Sequence, residues 1–160
     1  AQDASTKAYS DAQHHASNIC MVYKNTTQSI PNATDRAITW QVDEHDNLGM
    51  HSTSSNTDRV NILSTGWYWL KATVTFDSNN TGFRAIYFGV DSTPSTPRGL
   101  FAVTATQGTN THITISHRWY LTEGQYVQVY AYQTSGGNLN IESQTSAGFR
   151  RTDFQVVKIQ

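Results

Sequence analysis

The chain has 160 residues and a formal net charge of −1 at pH 7, and only 14% of its residues are charged. That balance leaves no electrostatic footprint for nucleic acid or an anionic membrane surface, and no apolar run approaches the roughly 20 residues a spanning helix needs. One cysteine, Cys20, excludes an intramolecular disulfide framework and a cysteine-based zinc site, in a chain long enough to bury one core.

Residues 1–35 differ in texture from the rest. The stretch Ala1–Ser17 holds five alanines among Lys, Gln and Asp, with no strong apolar stripe. Tyr9 and the cluster Ile19-Cys20-Met21-Val22-Tyr23 are its anchors, followed by a polar link through Pro31. We read 1–35 as an N-terminal arm, partly helical or extended, with Tyr9, Ile19, Met21 and Tyr23 holding it to a neighbour. The plainer alternative is a frayed terminus. The chain begins at Ala1 without an initiator Met, which reads as processing or as a cut from a longer chain, and no signal peptide is present in it. Three matches to a glycosylation acceptor, at Asn25, Asn32 and Asn79, are chance matches in so Asn- and Thr-rich a sequence.

From residue 36 to 160 strands and turns alternate as one domain. Ile38–Val42 reads as a short strand around Trp40, closed by the turn-rich Asp46-Asn47-Leu48-Gly49. The longest signal runs from Asn61 to Phe76. After Gly66 its even positions are Tyr68, Leu70, Ala72, Val74 and Phe76, and its odd positions Trp67, Trp69, Lys71, Thr73 and Thr75. Period-two alternation rich in aromatic and β-branched residues specifies a long strand with one face in the core. The other face opens with two tryptophans, which are costly to leave wet. A loop or another subunit should cover them.

Asp77–Gly82 is a turn, Phe83–Val90 a strand, and Ser92–Arg98, with Pro94 and Pro97, an irregular loop. Leu100–Ala105, Thr111–Trp119 and Gln125–Tyr132 follow as strands. Gly136-Gly137 makes a tight hairpin to Leu139–Ile141, and Phe154–Ile159 is the last strand. Many strands without a strong helix between them indicate a sandwich or jelly roll.

No catalytic constellation is present. Asp43-Glu44-His45-Asp46 and His51 concentrate carboxylates and imidazoles, but turn residues rarely hold two carboxyls at a fixed separation with divergent acidities. His112 and His117 fall on opposite faces of one strand and cannot converge there, and His14-His15 lies in the arm. No nucleophile elbow, phosphate loop or dinucleotide fingerprint occurs. The expectation is a protein without catalytic activity and without a cofactor.

Several short motifs follow one another in order: Trp40, Gly49-Met50-His51, Arg59, Gly66-Trp67-Tyr68, Phe76, Gly82-Phe83-Arg84, Leu121-Thr122-Glu123-Gly124-Gln125-Tyr126-Val127, and Gln133-Thr134-Ser135-Gly136-Gly137-Asn138-Leu139. Their order and spacing resemble the jelly roll of the complement C1q globular head and tumour necrosis factor, in the form common in bacteriophage virion proteins. The resemblance runs from about Trp40 to Ile159. It departs at the end, where Phe154-Gln155-Val156-Val157 lacks the family's glycine. It implies an all-β, ten-strand antiparallel jelly-roll sandwich that forms a trimer. The strands after Gly66 and after Gly124 are expected in the inner sheet beside the threefold axis. Trp40, Tyr68, Leu70, Val74, Phe76, Val127, Val129 and Phe154 are then core residues, and Trp67, Trp69, Gln128, Tyr130 and Tyr132 the trimer interface. Eukaryotic members often bind calcium, which makes Asp43 and Asp46 the residues to inspect for it, against the plainer reading of a polar turn. His51 in Gly-Met-His is read as a structural hydrogen-bonding residue.

Three functions are open at this stage. The first is a virion structural protein, a trimeric decoration or cement protein that contacts the major capsid protein or another virion protein on a phage head. The second is a trimeric receptor-binding knob of a tail or head fibre, recognising a host surface glycan or protein through exposed loops. The third is a secreted complement-like binding module. Fold alone does not choose between them.

Overall fold

The computed structural model describes residues 18–143 and 152–160, and only the backbone of residues 93–96. Among the described residues there are twelve strands and no helix. They are β1 (Ile19–Tyr23), β2 (Gln28–Ile30), β3 (Arg36–Ala37), β4 (Val42–Asp46), β5 (Val60–Asn61), β6 (Gly66–Phe76), β7 (Phe83–Val90), β8 (Thr93–Thr104), β9 (Thr111–Leu121), β10 (Tyr126–Gln133), β11 (Leu139–Ile141) and β12 (Asp153–Lys158). The count exceeds the ten expected because the structure also contains strands of two and three residues.

β6 centres the larger, seven-stranded sheet. One edge pairs with β9 along its whole length, from Gly66↔Leu121 to Phe76↔Thr111. Its other edge pairs with β12 from Tyr68 to Thr73, and with β11 at Phe76. Beyond β12 lie β1 and β4, and beyond β11 lies β2. The second sheet runs β3-β10-β7-β8, with β5 on β10 as well. Every pairing is antiparallel.

The alternation of β6 becomes packing directly: Tyr68, Leu70, Ala72, Val74 and Phe76 are all fully buried. Val127, Val129 and Ala131 face them from β10. Trp40 and Phe88 each lie against Phe154, with ring centroids 5.8 Å apart. All eight residues expected in the core have no exposed surface. In β12 the position expected to be glycine is Val156, which is fully buried beside Phe154.

Three sequence expectations are corrected. Residues 19–35 are not an arm. β1 is bonded along both edges, to β12 and to β4, and buries Cys20 and Val22 completely. Ile19, Met21 and Tyr23 therefore belong to the outer face of a sheet strand. Five alternating residues flanked by polar stretches are too short a signal to show that both edges will be taken. Tyr9, the fourth anchor, lies outside the described residues, as do His14 and His15.

Asp43–Asp46 is not a turn, because it runs in β4 at the edge of the sheet. Charged residues suit an edge strand, whose outer rim faces water. The segment between β3 and β4 crosses from one sheet to the other, so Ile38 and Trp40 are buried outside any strand. Residues 92–98 are not an irregular loop. Asp91 and Ser92, with φ of 53° and 59°, make a two-residue hairpin, and Val90 pairs with Thr93. Prolines are tolerated in β8 because it is the edge strand of its sheet.

Two cations are buried behind this framework. Lys24 has no exposed surface. Its Nζ donates to the Thr39 carbonyl at 2.8 Å and to Gln28 Oε1 at 3.1 Å, and burial pushes the ammonium down to about 8. The Arg84 guanidinium donates to the carbonyls of Thr81, Phe83 and Asn79, tying down the turn between β6 and β7.

Candidate assembly surfaces

The outer face of the seven-stranded sheet is divided along its length. Register places Ile19, Val157, Trp69 and Arg118 in one row across β1, β12, β6 and β9. Beside that row Trp67 meets Tyr120 edge-to-face, with centroids 5.6 Å apart. Trp67 is 44% exposed and Tyr120 54%. A shallow depression of about 260 Å³, lined by Trp67, Arg118, Ile159 and Gln160, opens on the same end. Further along, the face turns polar: Thr73 Oγ1 lies 3.2 Å from Thr114 Oγ1, and Thr75 Oγ1 lies 2.9 Å from His112 Nδ1.

A second apolar surface lies on the flank, where edge strands β8 and β9 lie against each other across the two sheets. Leu100 is 57% exposed and Phe101 51%. As consecutive strand residues they project to opposite sides of β8. Next to them the Arg98 guanidinium lies over the Trp119 ring at 5.6 Å, and His117 meets the same ring edge-on at 5.9 Å. The sequence pattern predicts strands at Leu100–Ala105 and Thr111–Trp119, but alternation does not reveal which strands will be edges, so it does not single out Leu100, Phe101 and Tyr120 as surface residues.

The five residues expected at the trimer interface do not come together. Trp67 and Trp69 are on β6, in one sheet, whereas Gln128, Tyr130 and Tyr132 are on β10, in the other. The two sets occupy opposite outer faces of the sandwich. Gln128 and Tyr130 are moreover covered by their own chain, at 4% and 7% exposure. Tyr130 stacks on Tyr87 with centroids 5.3 Å apart, the Tyr87 hydroxyl donates to Asp35 Oδ1 at 2.8 Å, and Gln128 Nε2 donates to Asp58 Oδ2 at 2.6 Å. Burial, reinforced by the bond to Asp35, raises the Tyr87 phenol well above its ordinary value. The expectation of one shared face is therefore corrected for Gln128, Tyr130 and Tyr132. It fails because two strands with equal inward alternation can pack on one core from opposite sheets.

The acidic stretch is structural. Asp46 Oδ1 accepts from the Met50 amide at 2.9 Å and Oδ2 from the His51 amide at 2.8 Å. His51, whose side chain is fully buried, has Nδ1 2.6 Å from Asp43 Oδ1 and Nε2 3.1 Å from the Thr57 carbonyl. Both carboxylates are thus engaged in folding the 46–57 segment. Among the described residues no three His, Cys, Asp or Glu side chains gather as metal ligands. Burial, then the charges of Asp46 and Asp43, push the Cys20 thiol far up, so it is an inert core group.

No family model matches this sequence, and no curated protein matches it either. Solved structures do. Murine APRIL superposes with a TM-score of 0.65 at 15% identity, over 89% of this chain and 99% of that one. The globular domain of zebrafish complement 1qA gives 0.62 at 12% identity, over 89% and 98%. The fold is a C1q/TNF-like jelly roll. Eiger TNF from S. frugiperda gives 0.61 at 12% identity, over 90% and 93%. At such identities the likeness establishes the C1q/TNF-like architecture and nothing about ligand or setting.

Proposed function

We propose that this C1q/TNF-like chain works as a homotrimeric, non-catalytic structural module of a virion, decorating and stabilising a phage head. One observation carries the assembly: the described residues place apolar surfaces at two separate parts of the subunit, the Trp67–Trp69–Tyr120 end of the larger sheet and the Leu100–Phe101 flank. Two different patches on one chain suit head-to-tail contacts, which close into a ring when the rotation per subunit allows. The β6 half of the expected interface, Trp67 and Trp69, keeps its place in this arrangement. The β10 half is replaced by the flank. The virion setting follows the sequence resemblance, and the capsid is the partner it implies. A decoration protein adds contacts available only on the assembled shell, so its effect follows mass action on that shell.

Light scattering tests the assembly. The protein should run as a trimer, and Trp69→Asp, which buries a carboxylate in each contact, should run as a monomer with an unchanged β-sheet spectrum. A trimer unaffected by Trp69→Asp would remove the face from the interface. Electron microscopy of bare phage heads mixed with the protein tests the setting: regular threefold knobs are expected, and unadorned heads would reject decoration.

A further inference from the structure

The outer face of the five-stranded sheet is roofed at one end and open at the other. Tyr130 and Tyr87 are covered, but Phe83, from β7, remains 39% exposed and stacks on half-buried Tyr132, from β10, with centroids 5.6 Å apart and planes 28° from parallel. Ala85 and Ala102 are in register with Tyr132 and leave a low floor beside the rings. Three chain segments converge around this pair. The Thr134 amide donates to the Phe83 carbonyl at 3.1 Å, the Ala105 amide to the Gly82 carbonyl at 2.9 Å, and the Gly108 amide to Asn80 Oδ1 at 2.9 Å.

Two of these segments, 79–83 and 132–138, are held from beneath by buried polar side chains. Arg84 ties down the turn at 79–83. Gln133, also fully buried, donates to the Gly137 carbonyl at 2.8 Å and accepts from the Ser135 amide at 2.6 Å. Gly82, with φ of 72°, could not carry a side chain, because a Cβ would overlap the Thr134 carbonyl. Sinking a guanidinium with carbonyl partners alone is an expensive way to hold an ordinary turn. The result is an aromatic pair whose rim is tied down on two of its three sides.

The rim is also uncharged. Residues 79–83, 104–110 and 132–138 contain Asn, Gln, Thr, Ser, Gly, Ala, Phe and Tyr and no Asp, Glu, Lys, Arg or His. Asp35, exposed on the same sheet face, is bonded to Tyr87. We infer that the Phe83–Tyr132 pair and this rim form a binding site for a neutral oligosaccharide, one site per chain. The C–H face of a hexose stacks on an aromatic ring, amide and hydroxyl groups meet its hydroxyls, and a preformed site loses little on ordering. A charged ligand would find no exposed counter-charge there, since the Arg84 guanidinium beneath the turn is fully buried and taken up by its carbonyls. This site lies on the opposite sheet from the Trp67–Trp69 face and does not depend on the assembly proposed above.

Saturation-transfer NMR with chitotriose, maltotriose and mannotriose, and with sialyllactose and a sulfated trisaccharide as charged counterparts, tests it. At least one neutral trisaccharide should bind in the millimolar range and neither charged one should. Phe83→Ala, at a surface position, should weaken that binding about tenfold or more, as loss of an aromatic contact predicts, while Phe83→Trp should retain it. Absence of binding by all three neutral probes overturns the inference. So does binding that survives Phe83→Ala in a protein whose amide spectrum shows the native fold, and so does preference for the charged probes.

Discussion

Replacing Leu100 and Phe101 together by serine removes the apolar part of the β8 flank without touching the core. Full burial of such a side chain is worth about 1.5–3 kcal/mol. Because they project to opposite sides of this edge strand, the contact must embrace the edge from both sides; with 57% and 51% of their surfaces exposed in the monomer, covering both then contributes roughly 2.5 kcal/mol per contact at the same coefficient. A closed trimer has three such contacts, so the double replacement costs roughly 7 kcal/mol, or about five decades in the overall association constant. In a monomer–trimer equilibrium the midpoint concentration follows the square root of that constant, so it should rise by roughly 300-fold. Sedimentation velocity over a dilution series measures the midpoint for both proteins, and urea unfolding of the monomer provides the control. A midpoint within threefold of the parent, with monomer stability unchanged, would refute the assignment of this flank to the interface.

Lys24 should impose an alkaline stability gain. Its folded-state acidity lies at about 8 against an ordinary 10.5, so between those pH values the unfolded chain holds a proton that the folded chain has released. The Lys24 contribution to stability therefore rises with pH across that window, by at most about 3 kcal/mol, while the raised Cys20 thiol contributes the opposite slope above its ordinary value. Lys24→Met should make the measured slope less positive; equal slopes for parent and variant in urea titrations from pH 7.5 to 10.5 would contradict it. Gly82→Ala should lower stability by about 2 kcal/mol or more, since it adds left-handed strain to a clash with the Thr134 carbonyl. An unchanged thermal midpoint would show that the turn relaxes freely.

Local pattern was enough to place the core. The alternation of Tyr68, Leu70, Val74 and Phe76, and of Val127 and Val129, appears intact as two inward faces, because a strand's side-chain period is a property of the backbone. The motif order around Gly66, Gly82 and Gly136 similarly conveyed a β sandwich of the C1q/TNF-like kind. What the sequence did not contain was which sheet each strand would join and which strands would be edges. Those outcomes depend on long-range pairing: β1 between β12 and β4, β10 on β7 and not beside β6, and β8 left with one bonded edge. The same pairing turned Gln128 and Tyr130 from surface into covered residues, left Leu100 and Phe101 exposed in the subunit, and brought Phe83 against Tyr132, 49 positions further along the sequence. Periodicity records which way a side chain points along its own strand; only the tertiary structure decides what stands opposite it.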